Sequence, residues 1–77
     1  MRISEENVRR ILAEVARISA DANSDADLYL ELGVASITAL QLLMEFEEQF
    51  QIKIPDDEFV QASTIAQLTA LLDRLQS

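Results

Sequence analysis

Ser36-Ile37-Thr38-Ala39-Leu40-Gln41-Leu42-Leu43-Met44-Glu45-Phe46-Glu47-Glu48-Gln49-Phe50-Gln51 is the longest amphipathic run of the chain. Set at about 100° per residue, it separates into three sectors. Ala39, Leu42, Leu43, Phe46 and Phe50 fall together and are expected to face a core. Thr38, Gln41, Glu45, Glu48 and Gln49 form a polar back. Ile37, Leu40 and Met44 make a third group on the side of Ser36, with Glu47 beside them. The apolar arc is wider than a surface helix needs. Because an unpaired Glu47 would be costly to bury, this group is expected to be in part an exposed apolar patch.

Working outward, the run is stopped by Ile52-Lys53-Ile54-Pro55, and Asp56-Asp57-Glu58 opens a short helical turn through Phe59 and Val60. Thr64-Ile65-Ala66-Gln67 has the spacing of a capping box. Ile65, Leu68, Leu71, Leu72 and Leu75 then mark a last helix, with Arg74 favourably placed near its negative end. On the other side, Ser4-Glu5-Glu6 is a helix start, followed by Val8, Ile11, Leu12, Val15 and Ile18 at helical spacing. That helix is expected from Glu5 to Ile18. Residues 19–35 form a long connection, unusual in so small a domain unless it is functional or packs its own side chains. Leu28, Leu30 and Leu32 are expected to tuck it onto the core. The expected fold is all-α: a small bundle of three main helices plus one short helix, with a long first loop, as a single domain over residues 1–77.

Composition limits what such a domain does. Seventy-seven residues lie near the lower bound for a single core without staples, and with no cysteine no disulfide helps. One glycine, one proline and few aromatics argue against a β-sandwich or barrel. The lack of histidine and cysteine excludes a Ser-His-Asp triad, a cysteine nucleophile and the usual zinc sets. The chain is therefore not expected to be an enzyme; it would enter a reaction as a carrier of imported chemistry. The net charge of −8 argues against nucleic acid and anionic membrane as partners, since both need a basic face. From Ile18 to Asp73 the one base is Lys53, against eleven acids, a field that attracts basic partners. There is no apolar signal core and no apolar run of the roughly 20 residues that span a bilayer. A cytoplasmic protein without membrane insertion is the expectation.

Ser36 is the residue with chemical prospects. A serine before a helix commonly acts as its N-cap. Its hydroxyl would equally suit a phosphodiester, because free N–H groups and the helix dipole favour an anion there. Gly33, three residues earlier, permits a left-handed turn.

Asp27-Leu28-Tyr29-Leu30-Glu31-Leu32-Gly33-Val34-Ala35-Ser36-Ile37, Glu45-Phe46-Glu47-Glu48-Gln49-Phe50 and Ile52-Lys53-Ile54-Pro55-Asp56 together resemble the acyl carrier protein family. The likeness spans essentially the whole chain, including the Thr64-Ile65 start of the last helix. It implies that a phosphopantetheinyl transferase moves 4′-phosphopantetheine from coenzyme A onto Ser36, and that the thiol of this arm holds acyl groups as thioesters. It further implies a monomer met by loading and processing enzymes with basic patches, in fatty-acid, polyketide or related lipid biosynthesis. Ile37, Leu40, Met44, Glu45, Glu47 and Glu48 are the expected docking residues. Leu42, Phe46, Ile54, Ile65 and Leu68 are the expected shelter for a long acyl chain. The ends of the sequence read as those of a free-standing carrier.

Three positions depart from the family pattern. Ala35 stands where an acid usually precedes the serine, and Thr38 and Gln41 occupy places that are often acidic. They point toward a specialised carrier, with an aminoacyl or peptidyl carrier as the alternative. Two readings outside the family remain: an acidic helical interaction domain in which Ser36 is only a cap, and a calcium-binding loop. Asp21, Asn23, Asp25 and Asp27 alternate as EF-hand ligands do. However, Ala26 replaces the required glycine and Leu32 the bidentate glutamate, so no specific metal site is expected.

Overall fold

The first helix begins where Ser4 and Asn7 cap each other. The Ser4 hydroxyl accepts from the Asn7 N–H at 3.3 Å, and the Asn7 side chain accepts from the Ser4 N–H at 3.2 Å. In a computed structural model describing residues 2–77, the helices are α1 (Glu5–Ala16), α2 (Ser36–Phe50), α3 (Asp56–Gln61) and α4 (Ile65–Gln76). The protein is an all-α bundle, with no strand among the described residues beyond an isolated bridge between Asp27 and Thr64. None of the described helices is long and apolar enough to cross a membrane.

α1 ends two residues before the expected Ile18. Arg17 adopts a left-handed conformation (φ 57°), and the Ile18 N–H turns back to the Leu12 carbonyl at 3.3 Å. This is a Schellman-type closure that satisfies an orphan carbonyl. It also folds Ile18 onto the core, so the residue is buried through a chain reversal rather than helical periodicity. At α4 the Thr64 hydroxyl accepts from the Gln67 N–H at 3.1 Å. The returning Gln67 side chain accepts from Ser63 at 3.1 Å, one residue upstream of the usual partner.

α1 packs against α2 and α4, and α3 closes on α4. Val8, Ile11 and Leu12 meet Leu42 and Phe46 of α2 and Ile65, Leu68 and Leu72 of α4, all fully buried. Phe46 stacks with Phe50 at 6.2 Å and sits tilted against Phe59 at 6.5 Å, which carries the core out to α3. Pro55 precedes α3, and Glu47 stabilises the turn that leads to it: its carboxylate accepts from the Ile54 N–H at 2.8 Å. That bond resolves the cost of a half-buried acid beside the apolar sector.

The long connection is bound to the bundle at both ends. Arg9 donates to the Ala20 carbonyl at 3.0 Å and to the Ser24 hydroxyl at 2.9 Å, while Glu5 accepts from both Arg9 and Ser24. The Leu28 N–H donates to the Ser63 carbonyl at 2.7 Å, and the Ala66 N–H to the Ser24 carbonyl at 3.1 Å. Asp27 then organises a turn, its carboxylate accepting from the Tyr29 and Leu30 N–H groups at 2.8 Å each. Leu28 is buried and Leu32 packs on the core, but Leu30 is 88% exposed, against the expectation that it tucks in. The alternation of Leu28, Leu30 and Leu32 would share a face only in a strand. In this turn the Glu31 and Leu32 N–H groups both return to the Asp27 carbonyl, which throws Leu30 outward.

Candidate functional site

Ser36 is the first residue of α2, one position later than a capping serine would be. The N-cap is Ala35, in extended conformation (φ −79°, ψ 159°), and no side chain caps the helix. Its carbonyl accepts the first intrahelical bond, from the Ala39 N–H at 2.9 Å. The expectation that Ser36 is a cap is therefore corrected: its hydroxyl is exposed and makes no hydrogen bond among the described residues. The first-turn N–H groups of α2 lack a side-chain acceptor, and no acid lies in that turn.

Gly33 sets this geometry. It has φ 73°, and a side chain there would meet nothing within 4 Å, so the requirement is conformational freedom rather than space. Val34 follows with its N–H on the Leu28 carbonyl at 2.9 Å and its side chain buried. The loop is thus fixed just before the serine it presents.

Beside Ser36 lies a groove of about 590 Å³, lined by Tyr29 and Val34 from the loop, Ala39, Leu40 and Leu43 from α2, and Asp56, Phe59 and Val60 from α3. Its size falls within the range of small-molecule sites, and its walls are mostly apolar. The residues expected to shelter a chain are elsewhere. Leu42, Phe46, Ile54, Ile65 and Leu68 are each 4% exposed or less and fill the closed core. The groove takes Ala39 and Leu43 from the sector expected to face the core and Leu40 from the third sector. Tyr29 and Val60 were missed as lining because α3's approach to α2 depends on the turn at Pro55.

The electrostatics divide similarly. Burial pushes the half-buried Tyr29 phenol above its ordinary value, and the Asp27 carboxylate adds to the shift. The Leu30 and Tyr29 N–H groups hold the Asp27 carboxyl below its own. Among the described residues no cluster of three or more histidine, cysteine or acidic side chains is placed to hold a metal. In the calcium-like loop Asp27 is already engaged by backbone N–H groups, and Asn23 accepts from the Asp25 N–H at 2.8 Å.

Ile37, Leu40 and Met44 are 70%, 56% and 61% exposed, in keeping with the third sector of the helix. Glu48 is exposed, and Glu45 accepts from Gln49 at 2.7 Å. Glu47 is half-buried and bonded to Ile54, so it supports the turn as well as charging the surface.

Comparison with known proteins gives this geometry a context. The family described as "Phosphopantetheine attachment site" matches residues 6–72. A protein of Akkermansia muciniphila named acyl carrier protein is 33% identical over 73 residues, covering 94% of this chain and 91% of that protein. Such proteins are carriers rather than catalysts, and they work with partner enzymes. The chain belongs to the acyl carrier protein family, and its cofactor is 4′-phosphopantetheine.

Proposed function

We propose that Ser36 is the residue that receives 4′-phosphopantetheine, and that residues 1–77 act as one carrier domain presenting acyl intermediates to enzymes of fatty-acid, polyketide or related lipid biosynthesis. The observation that carries this reading is the Ser36 hydroxyl itself: exposed, unbonded, and at the positive end of an uncapped helix. A phosphodiester oxygen fits where α2 has free N–H groups and no competing carboxylate. The Ser36 oxygen would displace adenosine 3′,5′-bisphosphate from coenzyme A. One phosphorus–oxygen bond forms at Oγ as the pyrophosphate bond breaks, and the hydroxyl proton goes to a base on the transferase. Once bound, the group supplies a terminal thiol on which acyl groups are held as thioesters.

The chain's own residues then provide recognition. Ile37, Leu40 and Met44 offer an apolar contact, while Glu45, Glu47 and Glu48 attract enzymes with basic patches. Such an interface is small, which suits brief encounters. With a net charge of −8 opposing self-association, the working form we assign is a cytoplasmic monomer. A second reading, a carrier of activated amino acids, draws on Ala35 and on the absence of acids from the first turn of α2. The thioester borne by protein from its native cell separates the two readings.

The test of the attachment is direct. Apo-protein incubated with coenzyme A and a broad-specificity phosphopantetheinyl transferase should gain one phosphopantetheine by intact mass, and Ser36→Ala should gain none. Because Ala35 is the N-cap, Ser36→Ala should leave stability within about 0.5 kcal/mol, keeping the control folded. Persistent absence of the added mass in wild-type protein would overturn the reading.

A further inference from the structure

A second cavity, of about 240 Å³, lies between the start of α1 and the ends of α2 and α4. Gln49 and Phe50 line it, which places it one helix length, roughly 20 Å, from Ser36. Its walls carry three kinds of group. Ile3, which is buried, and Phe50, which is partly buried, are apolar. Arg2 and Arg10 bring guanidinium groups whose own ion pairs are loose, Arg2 with Asp73 at 3.4 Å and Arg10 with Glu14 at 3.7 Å. Both arginines are exposed, and exposed pairs of this kind are worth little. The third group is an acceptor. The Gln76 side chain donates from Nε2 to the Phe50 carbonyl at 3.4 Å, while its Oε1 is buried with no donor among the described residues. Interchanging the two amide atoms would set oxygen against the Phe50 carbonyl, so this assignment holds. A buried acceptor without a donor is costly, and such groups normally find a partner.

We propose that this cavity binds a small apolar α-amino acid as its zwitterion. The carboxylate meets the Arg2 and Arg10 guanidinium groups, and the ammonium supplies the donor that Gln76 Oε1 lacks. The side chain covers Ile3 and Phe50. The site is separate from Ser36 and stands whether or not that residue carries the arm.

Three arguments select this ligand. The cavity lies below the range typical of larger ligands, which suits a single amino acid. A simple anion would be opposed by the net charge of −8, whereas a zwitterion has no net charge to oppose. A carboxylate without an N–H would leave Gln76 Oε1 unpaired, and a wholly polar ligand would leave Ile3 and Phe50 uncovered. Because the walls come from the start of α1 and the ends of α2 and α4, the ligand ties three helices together. Bound ligand should therefore raise Tm.

The experiment titrates the purified protein with L-leucine, followed by NMR and by thermal unfolding. Saturable shifts are expected at the Gln76 carboxamide and at the Ile3, Arg10 and Phe50 amides, with a Tm that rises with leucine concentration. 4-Methylpentanoate, which lacks the ammonium, and leucinamide, which lacks the carboxylate, should each bind about tenfold more weakly. Arg10→Gln and Gln76→Met should each weaken leucine binding by about tenfold. Without ligand, Gln76→Met should leave Tm little changed, because it deletes an acceptor that has no donor. Arg17→Gln, the same loss of charge at an exposed residue outside the cavity, should bind leucine as the wild type does. Shifts that never saturate, or equal binding of 4-methylpentanoate, would overturn the proposal. So would the same shifts produced by inorganic phosphate, which would mark a nonspecific anion site. A ligand-free Gln76→Met protein with a markedly lowered Tm would show Oε1 to be paired within the fold, and would also overturn it.

Discussion

α1 and α4 differ from α2 and α3 in how each pair begins and where its apolar residues go. α1 and α4 are capped by Ser4 and Thr64 and bury Val8, Ile11, Leu12, Ile65, Leu68 and Leu72. α2 and α3 start at Ala35 and Pro55 with no side-chain cap, and they leave Ile37, Leu40, Met44 and Val60 in solvent. One pair is built for stability. The other leaves a helix end uncapped and an apolar surface exposed, at some cost in stability, an arrangement that suits the modification proposed at Ser36.

Substitutions can break that contrast, beginning with the residue that joins the two halves. Phe46 is fully buried and contacts both Phe50 and Phe59, so Phe46→Ala should cost about 3–5 kcal/mol by denaturant unfolding and leave little folded protein. The capped helices should feel the loss of their caps: Ser4→Ala and Thr64→Ala should each cost about 1 kcal/mol. At the uncapped helix the sign should reverse. Ala35→Asp should add about 1 kcal/mol by supplying the missing acceptor, with slower hydrogen exchange at Ile37 and Thr38.

Acid should act on the loop that connects the halves. Glu5 is held below its ordinary value of 4.5 by the Ser24 hydroxyl and Arg9, and Asp27 below 3.8 by the Leu30 and Tyr29 N–H groups. A lowered folded-state value means the contribution is complete above those ordinary values and is lost as pH falls through the folded ones. The denaturation midpoint should therefore be flat near neutrality and decline below about pH 4. Asp27→Asn, which retains an acceptor for the turn, should flatten part of that decline. The smallest effect is expected on the exposed side: Ile37→Ala should change stability by less than about 0.5 kcal/mol.

Much of this could be read from residue spacing. The three sectors of α2 emerged correctly because a long helix repeats its faces several times, and Ile37, Leu40 and Met44 are indeed exposed. The misreadings arose where backbone direction changes over a few residues. Ile18 matched the helical period but reaches the core through the Arg17 reversal. Leu30 looked apolar and internal, yet the Asp27-centred turn holds it outside. Ser36 looked like a cap because serine favours that role, but the extended conformation of Ala35 moves the helix start back by one residue. The groove depends on where α3 lands after Pro55, a tertiary placement that no local pattern encodes.

The most direct test of the central claim is tandem mass spectrometry of the protein isolated from its own cells. The account predicts a phosphopantetheine phosphodiester on Ser36. Its location on another residue, or protein recovered consistently without it, would contradict the account.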